Sequence, residues 1–326
     1  ATFTLIAVVM MVQSIHSQQK KLQRKISEQF GQVPDNIDLE FDSISRPWKY
    51  CTDKDVSRTI DDITWNDLDM NEVFARINNC QSSLGKEYLY ISLHMHSNDE
   101  KLSTREVLME YLEHEPVLRQ QIQIYLQKVG KSNYNGLIEF ISSPEVYRLD
   151  HDWIYKIFAL LPIVSLLLFP LSYALGTACI IGSICFNILI SYFTKRKIAQ
   201  QLPAVRYFSG VLWCCQKICK MKGEGLSELQ QSISKRLSVL HDLKGAVSGS
   251  MQNRSAVSDM DVFAEYVRMV TLHEILNYNK SIRLISANKE SCREICEEVA
   301  ELDVAIAVLS FQKSLPFYSK PHYIQN

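Results

Sequence analysis

"KIFALLPIVSLLLFPLSYALGTACIIGSICFNILISYFTKRK", residues 156–197, sets the architecture of this chain, because no charged residue lies between Lys156 and Lys195. A single α-helix over the uncharged part would measure about 57 Å at roughly 1.5 Å per residue. The hydrocarbon core of a bilayer is only about 30 Å thick. The length therefore predicts two membrane-spanning helices joined by a tight turn near Pro170 and Gly176.

Aromatic and basic residues mark the ends of this predicted hairpin. We expect its helices near Trp153–Phe169 and Tyr173–Phe193, with aromatic side chains at the level of the lipid headgroups. Lys156 precedes the pair and the basic run Lys195–Lys197 follows it, so the positive-inside rule places both ends in the cytosol. Asn187 would join the two helices by a hydrogen bond. The alternative, a hairpin buried in the core of a soluble protein, stays open at this point.

Charge is unevenly distributed along the 326 residues, although the net charge is only -1. Residues 26–156 carry 13 Lys or Arg against 23 Asp or Glu, whereas residues 195–326 carry 18 against 13. Positive charge thus collects beside the apolar segments, as expected of a cytosolic chain tethered to a membrane. The nine cysteines are not spaced like a disulfide framework, which favours a reducing compartment. We therefore expect a multi-pass protein of the cytoplasmic membrane whose main helical domain lies in the cytosol.

A second apolar run, "ATFTLIAVVMMV", opens the sequence and is followed by Lys20, Lys21, Arg24 and Lys25. A signal peptide has its basic region before the apolar part and a small-residue cleavage site after it. Here the basic cluster comes after the apolar part. The run therefore predicts an N-terminal signal-anchor helix over residues 1–19.

Helical periodicity dominates the rest of the chain, where glycine and proline are sparse, and it predicts an all-α protein. In "IDDITWNDLDMNEVFARINNCQSSLGKEYLYISLHMHSNDEKLSTREVLMEYL", residues 60–112, Asp69 and Glu72 have the spacing of a capping box at a helix start. A second helix is expected to begin near Ser82–Ser83. Gly85 follows early in it, where a missing Cβ lets another backbone come close.

This stretch resembles the first half of the core (lever) domain of MutS-type DNA mismatch-repair proteins, and in particular a subgroup with membrane segments. In that family a short helix leads to a threonine or serine, a small turn, a glycine and a long apolar helix, followed by a loop and an arginine-bearing helix. Ser82–Ser83, Gly85 and Arg105 stand at those places, while His96 replaces the usual proline. "AELDVAIAVLSFQKSLPFYSKPHY", Ala300–Tyr323, resembles the helix that leads from the lever into the family's ATPase domain.

The resemblance covers about residues 55–150 and 225–323. It implies a structural or relay module of a protein that binds DNA and ATP and forms a homodimer. The family's ATPase domain would follow Tyr323, so ATP and Mg²⁺ are implied only for that absent domain. We expect no cofactor, no small-molecule substrate and no enzymatic activity in this chain, whereas a longer form would be an ATPase. The alternative is a membrane-tethered helical scaffold or interaction protein with no DNA role.

The predicted organisation has six parts. They are an N-terminal transmembrane anchor (1–19), a juxtamembrane linker (20–54), the first half of a MutS-like helical core (55–150), a transmembrane helical hairpin (153–194), a basic amphipathic segment (195–224) and the second half of the core (225–326). The hairpin interrupts the core roughly where MutS proteins carry their DNA clamp.

The basic segment provides the candidate binding residues, because it combines seven Lys or Arg with no acidic residue up to Lys222. These side chains are candidates for contacts with the phosphates of anionic lipid or, weakly and without sequence preference, of DNA. The adjacent hairpin favours lipid. The seven residues are Lys195, Arg196, Lys197, Arg206, Lys217, Lys220 and Lys222.

The remaining motifs predict neither catalysis nor a metal site. "VGKS" (Val129–Ser132) lacks the first glycine of a phosphate loop and is better interpreted as a helix end closed by Gly130. The acidic run from Glu297 to Asp303 is expected to be a solvated helix face. Two cysteine pairs and one histidine pair lack the spacing of a zinc knuckle. They are Cys215 with Cys219, Cys292 with Cys296, and His94 with His96.

Overall fold

The computed structural model describes residues 2–34, 39–50, 59–95, 99–131, 136–248 and 266–319. Within these residues the protein is helical, and the sole β-type pairing is an isolated bridge between Thr59 and Met95. This confirms the all-α class predicted from the helical periodicity. The chain divides into two compact units.

The first unit comprises Ala1–Asn135, Cys214–Ile233 and Cys296–Asn326. Its core is built from apolar side chains at helical spacing, and among them Phe74, Leu112 and Ile122 are completely buried. Its own helices are α1 (Thr2–Gln29), α2 (Phe41–Ser45), α3 (Asp62–Asp67), α4 (Met70–Ile77), α5 (Ser83–His94), α6 (Asp99–His114) and α7 (Pro116–Val129), with 3₁₀ turns at Arg46–Tyr50 and Glu224–Leu226.

The second unit comprises Gly136–Trp213 and Ser234–Ile295. Its own helices are α8 (Leu137–Ser142), α9 (Asp152–Leu166), α10 (Tyr173–Ile198), α13 (His241–Ser248) and α14 (His273–Ala287), with a 3₁₀ turn at Pro144–Tyr147. Three further helices contribute residues to both units, namely α11 (Leu202–Ile218), α12 (Ser227–Val239) and α15 (Lys289–Ser314).

Both helix starts predicted in residues 60–112 are observed, but a side-chain capping bond forms at only one of them. Ser82 caps α5 as predicted, and its hydroxyl accepts a hydrogen bond of 3.0 Å from the backbone N–H of Gly85. The capping box at Asp69 is wrong, because Asp69 has a left-handed backbone (φ 50°) and its side chain makes no capping bond. Asp61 caps α3 instead, since its extended backbone lets the carboxylate accept from the N–H of Thr64 at 2.7 Å.

The residues of the predicted hairpin form two adjacent helices, α9 and α10. The carbonyl of Phe158 on α9 accepts a hydrogen bond from Asn187 on α10, and Phe169, just beyond α9, lies against Gly176. A later residue on the first side of the hairpin (Phe169 after Phe158) thus meets an earlier residue on α10 (Gly176 before Asn187), so the two helices are antiparallel. Within the described residues, α10 alone is long and apolar enough to cross a membrane, and 17% of its apolar stretch is buried.

The other predicted membrane segments stay predictions. Helix α9 has 15 residues, fewer than the roughly 20 that usually span a bilayer. The apolar run at the N-terminus forms the first part of α1, which continues without interruption to Gln29. Ile26, near the end of α1, is buried in the core of the first unit.

Candidate functional site

A fully buried carboxylate, Asp303, is the centre of the polar contacts in the first unit. It lies on α15 and has no exposed surface. It accepts hydrogen bonds from the backbone N–H groups of Gln81 (2.9 Å) and Ser82 (2.8 Å), and from the hydroxyl of Ser82 (2.6 Å). Burial raises the pKa of the Asp303 carboxyl, while these hydrogen bonds act in the opposite direction. The expectation that the acidic run is a solvated face is therefore wrong at Asp303.

Gly85 leaves the space that Asp303 occupies. A Cβ added at Gly85 would lie 2.2 Å from Oδ2 of Asp303, closer than two such atoms can come. The close approach predicted for this glycine is observed, but the neighbour is a side chain and not another backbone. The hydroxyl of Ser82 both caps α5 and donates to Asp303, so one residue fixes the helix start and its contact with α15.

A second polar contact joins α6 to α15. Arg105 binds Glu301 through two parallel hydrogen bonds, one from Nε to Oε1 and one from Nη2 to Oε2 at 2.9 Å. The side chains are 12% and 21% exposed, so water screens this pair less than a surface ion pair. Glu301, too, is not part of a solvated face, because Arg105 neutralises it.

A third contact on the same helix involves the end of α1. The hydroxyl of Ser310 accepts hydrogen bonds from the backbone N–H of Gly31 (3.0 Å) and from Nδ2 of Asn79 (2.6 Å). The same Nδ2 atom donates to the carbonyl of Gln29 at 3.0 Å. Helix α15 is thus held by polar contacts at Glu301, Asp303 and Ser310. This arrangement fixes the position of the helix along its axis.

Two of the seven predicted basic contacts are already paired within the second unit. Lys195 and Arg206 bind Glu274 on α14 at 2.6 and 2.9 Å. Burial alone would raise the pKa of Glu274, but the two bound cations lower it below its ordinary value. Arg196 and Lys197 are exposed and remain candidates for phosphate contacts.

The other three predicted basic contacts are Lys217, Lys220 and Lys222, which are exposed and belong to the first unit. Lys195, Arg196, Lys197 and Arg206 belong to the second unit. The seven residues are therefore close in sequence but are divided between the two units.

The inner face of the hairpin is polar, although the outer face is apolar. Small and hydroxylated residues of α10 are buried between helices, and Asn187 donates hydrogen bonds of 2.8 Å to the carbonyls of Phe158 and Val270. Asn187 thus joins three segments where the sequence predicted two. The buried polar or small residues of α10 are Gly176, Ser183, Asn187, Ser191 and Thr194. Large exposed apolar residues of the hairpin include Leu160, Ile163, Leu167, Leu171, Leu175, Ile181, Leu189 and Phe193.

The remaining motifs have structural roles where the structure describes them. Gly130 closes α7 with φ 86°, and its backbone N–H donates to the carbonyl of Leu126, as predicted for the glycine of "VGKS". His94 is buried and stacks on Trp65 with ring centroids 3.6 Å apart, whereas His96 lies outside the described residues.

The candidate zinc ligands do not form a metal site in the part of the chain that is described. No group of three or more His, Cys, Asp or Glu side chains there could hold a metal ion. Cys215, Cys292 and Cys296 are buried in helix packing, and Cys219 is half-buried. Burial raises the pKa of the Cys215 thiol well above its ordinary value, which favours an apolar packing role over a thiolate ligand.

The comparisons with known proteins found no relative of this chain. No protein-family model, no curated protein and no solved structure matches this chain. The resemblance to MutS-type proteins therefore rests on the sequence pattern alone and stays a prediction.

Proposed function

We propose that this chain is a membrane-anchored helical relay module of MutS type, in which α15 is the lever helix. One observation carries the proposal. The positions on which the resemblance depends, Ser82, Gly85 and Arg105, all meet α15, through Asp303 and Glu301. Positions in the first half of the resemblance thus contact a helix in its second half, as expected if they act together in the placement of that helix.

The polar contacts suit a relay because they fix the register of α15. Apolar side chains still pack after a helix slides by a turn, since hydrophobic contact is non-directional. Hydrogen bonds to Asp303 and Ser310 require defined distances and angles. A force applied along α15 by an attached domain would therefore move α1, α5 and α6 together. In this proposal the chain contacts DNA only weakly and without sequence preference, and two copies pair as in the family.

The membrane part of the proposal rests on the polarity of the hairpin, whose buried side is polar and whose exposed side is apolar. A soluble helix pair buries its apolar side chains and exposes polar ones. Here α10 buries Ser183, Asn187 and Ser191 and exposes Leu175, Ile181 and Leu189. Small and polar residues between helices, with large apolar residues outside, are typical of helices surrounded by lipid. We therefore place the hairpin in the membrane and the remaining helices in the cytosol.

A second candidate is a membrane-tethered scaffold with no DNA role. The observation that favours it is the pairing of Lys195 and Arg206 with Glu274. Two of the four cations next to the hairpin are thereby neutralised, and fewer remain to release counterions from DNA. Arg196 and Lys197 remain, and they would suffice for contact with anionic lipid.

Binding to vesicles and to duplex DNA separates the two candidates. For the relay module we expect weak duplex binding that decreases with salt and shows no preference for a mismatch. A mismatch preference above about tenfold, roughly 1.4 kcal/mol, would contradict a relay without a mismatch-reading element. No duplex binding at low salt would favour the scaffold.

Matched variants test the lipid contact in the same experiment. Arg196→Ala with Lys197→Ala should weaken binding to anionic vesicles by about 1 kcal/mol per charge. The control, Lys195→Ala, should change it much less, because Lys195 is already paired with Glu274. Equal losses in both variants would contradict the assignment of Arg196 and Lys197 as the lipid contacts.

A further inference from the structure

The hairpin is flanked by charged contacts that limit how much of it lipid can surround. On α9, Asp152 pairs with Lys156 and with Arg283 of α14, each at 3.6 Å. On α10, Lys195 pairs with Glu274. These charges mark one end of the hairpin as lying outside the hydrocarbon.

A third segment sets a tighter limit along α10. Residues 266–270 are helical and are followed by Leu272, whose left-handed backbone (φ 51°) separates them from α14. The carbonyl of Val270 accepts a hydrogen bond from Asn187, and Arg268 lies two residues before it. A segment bearing a guanidinium group therefore lies against α10 at the level of Asn187. A charged side chain is costly in the hydrocarbon core, so that level belongs to the membrane surface.

The length beyond this level is too short to span a bilayer. From Tyr173 to Asn187, α10 measures about 21 Å, and from Phe158 to Leu166, α9 measures about 12 Å, at roughly 1.5 Å per residue. The hydrocarbon core is about 30 Å thick. The part of the hairpin that lipid can surround thus reaches beyond one leaflet at most, without crossing the second.

The tip of the hairpin is apolar, as expected of an end that lies in hydrocarbon. Residues 166–171 read "LLLFPL", and Leu167 and Leu171 are 71% and 81% exposed. A loop that emerges on the far side of a membrane meets water and headgroups, where polar or charged residues are expected. Two exposed leucines at the extreme end favour hydrocarbon as the environment of the tip.

From these observations we infer that the hairpin is a re-entrant wedge, which enters the bilayer from the cytosolic side and ends inside it. The inference rests on the proposed membrane anchoring and replaces the two predicted spans with one shallow insertion. Its partner is the acyl-chain region of the nearer leaflet and the bilayer midplane. Asn187, at the base of the wedge, then fixes α9, α10 and the segment at Val270 together at the membrane surface.

A depth profile along the outer face of the hairpin tests this inference. The full chain carries Cys179→Ala and Cys185→Ala, because both native thiols are exposed on α10, and spin labels are placed singly at four exposed positions. These are Leu171→Cys, Leu175→Cys, Ile181→Cys and Leu189→Cys. In phosphatidylcholine vesicles containing phosphatidylglycerol, collision with oxygen and with a water-soluble nickel complex reports the depth of each label. The parent protein, which has no introduced cysteine, is treated with the same spin label and gives the background signal from the other cysteines.

The wedge predicts that depth increases continuously from Leu189, at the surface, to Leu171, about 20 Å below it. A spanning hairpin instead places Ile181 deepest and returns Leu171 to water on the far side, which would overturn the inference while leaving membrane anchoring intact. If the nickel complex reaches all four labels and the parent does not float with vesicles, the anchoring itself is wrong. The three profiles are mutually exclusive, so each outcome either supports the wedge or overturns it.

Discussion

The contact face of α15 and the inner face of α10 both bury polar side chains, but their surroundings are opposite. Asp303 lies among buried apolar residues of the core. Asn187 lies behind a shell of exposed leucine, isoleucine and phenylalanine. In water the hydrophobic effect drives apolar residues inward, and a buried polar group is kept for its specific bonds. In lipid that drive is absent, so small polar residues provide the contact between helices.

The largest expected effect comes from filling the space above Asp303. Gly85→Ala should lower the free energy of unfolding by about 3 kcal/mol, because the new Cβ collides with a buried carboxylate that three hydrogen bonds hold in place. The matched control is Gly182→Ala on α10, where a Cβ meets no atom within 4 Å. Urea unfolding in detergent, followed by circular dichroism, measures both. Similar losses of unfolding free energy at Gly85 and Gly182 would contradict the difference proposed between the buried contact of α15 and the packing of α10.

The next effect concerns the bonds of Asp303 themselves. Asp303→Asn should cost about 2 kcal/mol, because an amide offers one acceptor oxygen to three donors and leaves part of them unsatisfied. Glu290→Gln on the same helix is the control, since Glu290 is exposed and pairs with Arg293 at the surface. The same urea titration applies. A loss at Glu290 as large as at Asp303 would show that charge, and not the buried contact, matters on α15.

A smaller, pH-dependent effect is expected at Glu274. Its pKa is lowered in the folded protein, so its contribution is present above the unfolded pKa of about 4.3 and is lost as the pH falls through the lower folded value. Glu274→Gln should therefore cost about 1 kcal/mol at neutral pH, given the partial exposure of Lys195 and Arg206.

As the pH falls below the unfolded pKa of about 4.3 and through the lower folded pKa, the wild type and Glu274→Gln should converge, which thermal unfolding at several pH values would measure. Asp242→Asn is the control, because Asp242 is exposed and lies outside this cluster. A difference that stays constant down to acidic pH would mean that the Glu274→Gln variant is destabilised for steric and not for electrostatic reasons.

The smallest expected effect lies inside the hairpin. Asn187→Leu should cost about 0.6 kcal/mol in nanodiscs, since hydrogen bonds between membrane helices are weak on average. Ser183→Ala is the control, because the hydroxyl of Ser183 bonds to the carbonyl of Ile180 in its own helix. A cost at Asn187 as large as at Asp303 would indicate that both regions are surrounded by water.

Local signals predicted local structure well where one residue sufficed. Ser82 and Gly130 begin and end their helices as expected, because a capping side chain or a left-handed glycine acts within one turn. Asp69 shows the limit of such signals. Its spacing to Glu72 fits a capping box, but the chain turns through a left-handed conformation at Asp69 and the cap is lost. Spacing alone does not specify the backbone angle on which a cap depends.

Long-range contacts could not be predicted in the same way. Asp303 follows three glutamates and resembles a member of a solvated acidic face, yet its partners are Gln81 and Ser82, far away in the sequence. The same holds for Glu274, which neutralises Lys195 and Arg206. A basic segment that looked uniform in sequence is therefore divided by the fold into paired and exposed cations.

The helical class follows from the amino-acid sequence alone, because periodicity and scarce glycine and proline act residue by residue. The same is true of the apolar character of residues 157–194, since no charge interrupts them. In contrast, the space that Gly85 leaves for Asp303 and the position of Arg268 at the level of Asn187 exist only in the folded chain. Those facts depend on which segments meet, and segments meet through the packing free energy of the whole chain. That energy is a sum over distant pairs, which no local pattern contains.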